Sequence, residues 1–118
     1  MLVRITGVLQ LIMGLLIWPE GMRNLVAAHM LLGLVFVVSL WVLAAASVRA
    51  QVPVGLAAGA AVTGLVVLVL GMTQTSLLPD SSHWVIQILH LLIGLVGVGL
   101  GEAIGGRLRR NRVAAPAV

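Results

Sequence analysis

Two histidines stand in matching apolar surroundings: His29 in Ala28-His29-Met30-Leu31-Leu32-Gly33-Leu34-Val35, and His90 in Leu89-His90-Leu91-Leu92-Ile93-Gly94-Leu95-Val96. Each histidine precedes a glycine by four residues, about one helical turn, so the two share a helix face. An imidazole among aliphatic side chains is costly unless a hydrogen bond or a metal satisfies its nitrogens. Two of them at repeat-equivalent positions point to one partner held in common. Neutral imidazole is a strong transition-metal ligand, so the chemistry suggested is axial ligation of a single metal centre. The competing reading is a pair of core or interfacial histidines that simply tie helices together.

The elements that must position this pair are membrane helices. The chain has 118 residues, 61% hydrophobic and 8% charged, which is room for one domain and far from a soluble composition. One Phe, no Tyr and three Trp leave Leu, Val, Ala and Gly as the apolar content, the filling of a helical bundle in lipid. Four apolar runs predict helices over about Leu2 to Trp18, Met22 to Val48, Val54 to Leu77 and Ser82 to Gly106, the first at the short end for a span. The breaks Pro19-Glu20-Gly21, Arg49-Ala50-Gln51-Val52-Pro53 and Pro79-Asp80-Ser81-Ser82 are tight turns, with Asp80 or Ser81 as N-cap of the fourth helix. Met1 to Trp18 has the look of a signal peptide, but no small-residue cleavage site follows it, so it reads as a helix. Loops this short make neighbouring helices antiparallel, and the expected fold is an all-α, up-down bundle of four transmembrane helices over residues 1–110.

The net charge of +4 comes from seven arginines, all near segment ends, which reads as a topology signal and not as a nucleic-acid surface. Arg4, Arg49, Arg107, Arg109, Arg110 and Arg112 fall on one side and Arg23, beside Glu20, on the other. Both termini are therefore expected in the cytoplasm of a prokaryotic inner membrane, with residues 111–118 a flexible tail.

The chain also reads as a duplicated hairpin, repeat 1 over about 2–48 and repeat 2 over about 54–106. The segment from Gly7 to Gly14 in the first helix echoes Gly64 to Gly71 in the third, Trp18-Pro19-Glu20-Gly21 echoes Leu78-Pro79-Asp80-Ser81, and the two histidine stretches complete the match. Both copies run in the same direction, so the repeats are related by rotation about the membrane normal. In such a bundle the second and fourth helices lie on a diagonal. His29 and His90, about seven and eight residues into their helices, share one depth in the outward half of the bilayer.

From helices roughly 11–14 Å apart, two imidazoles reach in far enough to leave room for one iron between two bonds of about 2 Å. The expected cofactor is one heme b per chain with His29 and His90 as axial ligands. Cysteine is absent, which excludes iron–sulfur clusters, disulfides and covalent c-type heme. Gly33 and Gly94, one turn from each histidine, would let the macrocycle approach the backbone, and Gly14 and Gly71 would open the other two walls. Helix packing explains any one of these glycines equally well. The ligand N–H groups are expected to meet the carbonyls of Leu25 and Ile86. His83 and Arg23, with Asn24, Ser82, Thr73, Gln74 and Thr75, are placed to receive the propionates, His83 otherwise being a solvated residue at a helix start. Gln87 belongs either to the pocket rim or to a helix–helix tie. Glu102 is expected to pair with an arginine, and Trp18, Trp41 and Trp84 to act as interface anchors or packing. The stripe Gly94, Gly97, Gly101, Gly105 and the shorter Gly55, Gly59 should draw helices close, within the bundle or in a homodimer.

At these residues the chain resembles one half of the heme A synthase family, whose halves each carry a histidine on the second and fourth helices at about the spacing of His29 and His90. The resemblance covers the four-helix region and implies the heme-b-binding half, with His29 and His90 as axial ligands. Where the family's substrate half carries a glutamate and an arginine around its second-helix histidine, this chain has Leu25 or Val26 and Met30, so the resemblance implies heme binding without the synthase reaction. Two strong axial ligands favour electron transfer over oxygen chemistry, with quinone or a membrane redox protein as partner. A colourless accessory or assembly subunit, and a small repeat transporter, are the alternative functions.

Overall fold

The computed structural model describes residues 1–18, 22–78 and 80–116, and every regular element among them is helical. Helix α1 spans Leu2–Ile17, α2 Val26–Arg49, α3 Val54–Thr73 and α4 His83–Ala114. Short 3₁₀ turns at Arg23–Leu25 and Asp80–Ser82 lead into α2 and α4. Helices α2, α3 and α4 are long and apolar enough to cross a membrane, whereas α1, at 16 residues, is a shorter apolar helix. The turn expected at Pro19-Glu20-Gly21, and Pro79 of the other, lie outside the described residues.

Several boundaries differ from the sequence expectation: α2 begins at Val26 and not at Met22, behind the 3₁₀ turn Arg23–Leu25, and three others differ for local reasons. Helix α3 stops at Thr73 and not at Leu77, because Ser76 turns its backbone N–H and its hydroxyl onto the Thr73 carbonyl, at 2.9 and 2.8 Å. Helix α4 begins after Ser82, which occupies the N-cap position without a side-chain capping bond, while Asp80 sits at φ 71 inside the preceding turn. At its other end α4 runs through the expected flexible tail as far as Ala114. Arginine and leucine are good helix formers, and the Asn111 amide donates to the Ala50 carbonyl at 3.0 Å, fastening the extension to the end of α2. The α2–α3 turn closes with Gln51 at φ 57, a left-handed position usually given to glycine, after which Pro53 leads into α3.

Each helix packs against its neighbours in the chain and α1 also packs on α4, which closes a ring. Across that ring α2 touches α4, whereas α1 and α3 do not meet, so the α2–α4 diagonal is the short one. Glycines set this spacing. A methyl group on Gly97 would stand 3.1 Å from the Phe36 ring, and one on Gly101 would run into Val3. The histidine-side stripe of α4 therefore receives α1 and α2 at its middle two glycines, while Gly94 and Gly105 face open space. Gly59 meets Leu100, and Gly55 faces open space as well. On the α2–α3 seam Trp41 lies over Gly64 and donates its indole N–H to the Ala61 carbonyl at 3.1 Å, so it is a packing residue.

The core fills the half of the bundle that holds the chain's arginine-rich ends: Val3, Leu40, Ala44, Ala57, Ala60 and Ile104 are buried there. The same end carries the Arg4–Glu102 ion pair, with the guanidinium Nε 2.9 Å from one carboxylate oxygen and Nη2 on the other. Buried Thr6 and Ser47 donate to carbonyls of their own helices at 2.7 Å, the usual way to satisfy a hydroxyl among apolar neighbours. Outside, the helices are lined with exposed Leu, Val, Ile and Met, Leu31 being 66% and Val42 64% accessible. A water-soluble bundle would carry polar residues on that face.

Candidate functional site

Above Phe36 the packed core gives way to a partly open cavity of about 370 Å³ lined by residues of all four helices, within the size range of small-molecule and cofactor sites. Phe36 and Val37 form its floor, and Gln74, Thr75 and Gln87 contribute polar groups to its lining. Both histidines face into it. Their ring centroids are 6.4 Å apart and their planes are inclined at 56°. The two rings are tilted against each other and not stacked face to face, and they reach into one space from α2 and α4, the helices of the short diagonal.

Each imidazole is seated by a glycine of the preceding helix. A methyl on Gly14 of α1 would stand 3.5 Å from His29 Cε1, and a methyl on Gly71 of α3 would stand 3.4 Å from His90 Cε1. The two seats agree to within a tenth of an ångström. Gly14 and Gly71 thus lie under the rings of the histidines, where the sequence suggested that they opened walls for a macrocycle.

One turn deeper the two sides differ. Gly94 lines the cavity and has nothing within 4 Å of its Cβ position, so a flat ligand has access to its backbone. Gly33 also lines the cavity, but the Gln10 amide lies across it, with Nε2 2.5 Å from where a methyl would stand. Gln10 Oε1 is buried without a hydrogen-bond partner. Sequence reasoning passed over Gln10; its signal was a lone amide in the apolar run from Gly7 to Gly14, where the matching position of the third helix is Val67.

The Nδ1 atoms of His29 and His90 are likewise buried and unpartnered. The expected bonds to the carbonyls of Leu25 and Ile86 do not form, since a helix aims those carbonyls along its axis at backbone N–H groups. A buried polar group without a protein partner calls for an explanation in a ligand, an ion or water. Arg23, exposed on the turn before α2, and His83, whose Nδ1 lies 3.4 Å from the Leu77 carbonyl, are outside the cavity lining. Of the residues expected to receive propionates, Gln74 and Thr75 line the cavity.

The fit of these residues to a heme iron can be judged by arithmetic. With metal–nitrogen bonds of about 2 Å, and about 1.15 Å from a ring nitrogen to its ring centre, two imidazoles bound on opposite faces of one iron have centroids about 6.3 Å apart. The 6.4 Å between the two ring centroids is compatible with that value, and a cavity and an open glycine backbone adjoin the pair. Among the described residues no group of three or more His, Asp or Glu side chains stands together. Comparison with family models, with characterised proteins and with solved structures finds no match for this chain.

Proposed function

We propose that this chain is a small membrane cytochrome: an antiparallel, up-down bundle of four transmembrane helices, built from a duplicated hairpin, that holds one heme b between His29 and His90. The observation that carries the reading is the separation of the two imidazoles, 6.4 Å between centroids, in the lining of one mostly apolar cavity. Helix α1 would span as a short member, at about 24 Å for 16 residues, by drawing the arginine end inward through its tie to α4. The arginine-rich end, with both termini, faces the cytoplasm.

A bound heme supplies reversible one-electron transfer. The residues of this chain set the conditions for it. His29 and His90 would hold the iron, and with two imidazoles on it the bound group would favour electron transfer over oxygen chemistry. Gly14 and Gly71 seat the rings, Gly94 gives access to the backbone on one side, and Gln10 covers Gly33 on the other. The mostly apolar lining would disfavour added positive charge on a bound heme, which raises its reduction potential. Quinone or a membrane redox protein is the electron partner proposed.

The test is the absorption spectrum of protein purified from heme-replete cells. The expected result is a Soret band with sharp reduced α and β bands, lost in His29→Ala and in His90→Ala. A colourless wild type that cannot be reconstituted with heme refutes the reading and leaves an accessory subunit or a transporter.

A further inference from the structure

The arginine end of the bundle has a feature that the cavity does not explain. On the outer surface between α2 and α3 runs a shallow groove of about 570 Å³, lined by Ala45, Val48, Ala58, Ala61 and Leu65, with Trp41 at one end. Its floor is low because the side chains are alanines. Trp41 is fixed by its bond to the Ala61 carbonyl, so its indole forms a rigid stop. From Trp41 to Val48 the groove extends about 10 Å along α2, the length of roughly eight methylenes of an extended acyl chain.

At the other end the groove reaches Val48 and Val54, the residues that flank the Arg49–Pro53 turn. Arg49 adjoins it directly. The end of α4, carrying Arg107, Arg109, Arg110 and Arg112, is fastened to the same turn by the Asn111 bond to Ala50. The acid of this end, Glu102, is held by Arg4. The trough thus ends beside Arg49 and at the turn to which the arginine-bearing end of α4 is fastened, where arginines outnumber the one described acid, Glu102.

We infer that this end of the protein is a binding site for an anionic phospholipid, one acyl chain lying in the α2–α3 groove and the phosphate at Arg49 and the arginines of the α4 extension. The site is separate from the histidine cavity and depends only on the bundle being in a bilayer. Basic clusters at the end of a membrane helix attract anionic headgroups. Here a chain groove and a rigid helix are added, which makes the preference one of site and not only of surface charge.

The experiment compares delipidated protein in a neutral detergent with added phosphatidylglycerol, phosphatidylcholine or inorganic phosphate, read by native mass spectrometry and by the thermal unfolding midpoint. Phosphatidylglycerol is expected to bind at least tenfold more tightly than phosphatidylcholine and to raise the midpoint. The triple variant Arg49→Gln, Arg110→Gln, Arg112→Gln is expected to lose that preference, and Arg23→Gln, at the opposite end, to keep it. Filling the trough at exposed positions, in Ala58→Leu with Ala61→Leu, is expected to weaken the lipid at unchanged lipid-free stability. Equal binding of the two lipids, an undiminished preference in the triple variant, binding indifferent to the filled groove, or an equal shift with inorganic phosphate each overturns the proposal.

Discussion

At the scale of single residues the cavity rests on contacts a few tenths of an ångström wide. Gly14 and Gly71 leave ordinary van der Waals room for one methyl beside each imidazole and no more. Gly14→Ala and Gly71→Ala should therefore retain heme. Gly14→Leu or Gly71→Leu should turn the ring out of line and lower heme affinity about tenfold or more, equivalent to about 1.4 kcal/mol. The heme-to-protein ratio after purification, with the low-spin character of the ferric spectrum, checks this; full retention by both leucine variants would mean that the glycines do not seat the ligands. Gln10 makes the opposite prediction. Its buried carbonyl oxygen lacks a partner, a state that costs about 1–3 kcal/mol, so Gln10→Leu should stabilise heme-free protein by about 1 kcal/mol, read from denaturation midpoints. A loss of stability there would show that the amide has a partner in the heme-free state. The histidine pair was legible in the sequence because the repeat wrote it twice. Gln10 was not, because its importance depends on which glycine of another helix it crosses, and one-dimensional spacing carries no such information.

At the scale of helices, the apolar runs and the Pro, Gly and Arg breaks between them were enough to read four helices from the sequence. Their ends were less legible. Thr73 ends α3 through bonds from Ser76, and α4 outlasts Gly106 through a bond from Asn111 to a residue 61 positions earlier, a contact that composition does not report. The stripe on α4 was visible as a pattern, but only packing tells which of its members matter. Gly101 receives Val3 and Leu40, whereas Gly105 faces open space. Val3 is β-branched and stiff, so Gly101→Ala should cost about 1–3 kcal/mol and Gly105→Ala less than about 0.5. Equal effects in detergent unfolding would show that the stripe works uniformly and not at its middle two glycines. On the neighbouring seam, Trp41→Phe removes the bond to Ala61 while keeping most of the ring. The expected loss is about 0.6–1 kcal/mol, the usual worth of a hydrogen bond between membrane helices.

At the scale of the whole molecule, core and cavity divide the bundle along its length: packed side chains and the Arg4–Glu102 pair at one end, histidines and open space toward the other. This division gives the membrane orientation a functional meaning. With the arginine end in the cytoplasm, the heme would lie toward the outer face, within reach of an outward-facing electron partner; with the reverse orientation it would serve the cytoplasmic side. The chain has no native cysteine, so single cysteines report orientation without background. Ser82→Cys, at the entry to α4, should react with a membrane-impermeant maleimide on intact cells. Val113→Cys, 87% accessible near the end of the same helix, should react only after the membrane is opened. Labelling of both from outside would mean that α4 does not cross, and a reversed pattern would place the heme on the cytoplasmic side and its redox partner with it.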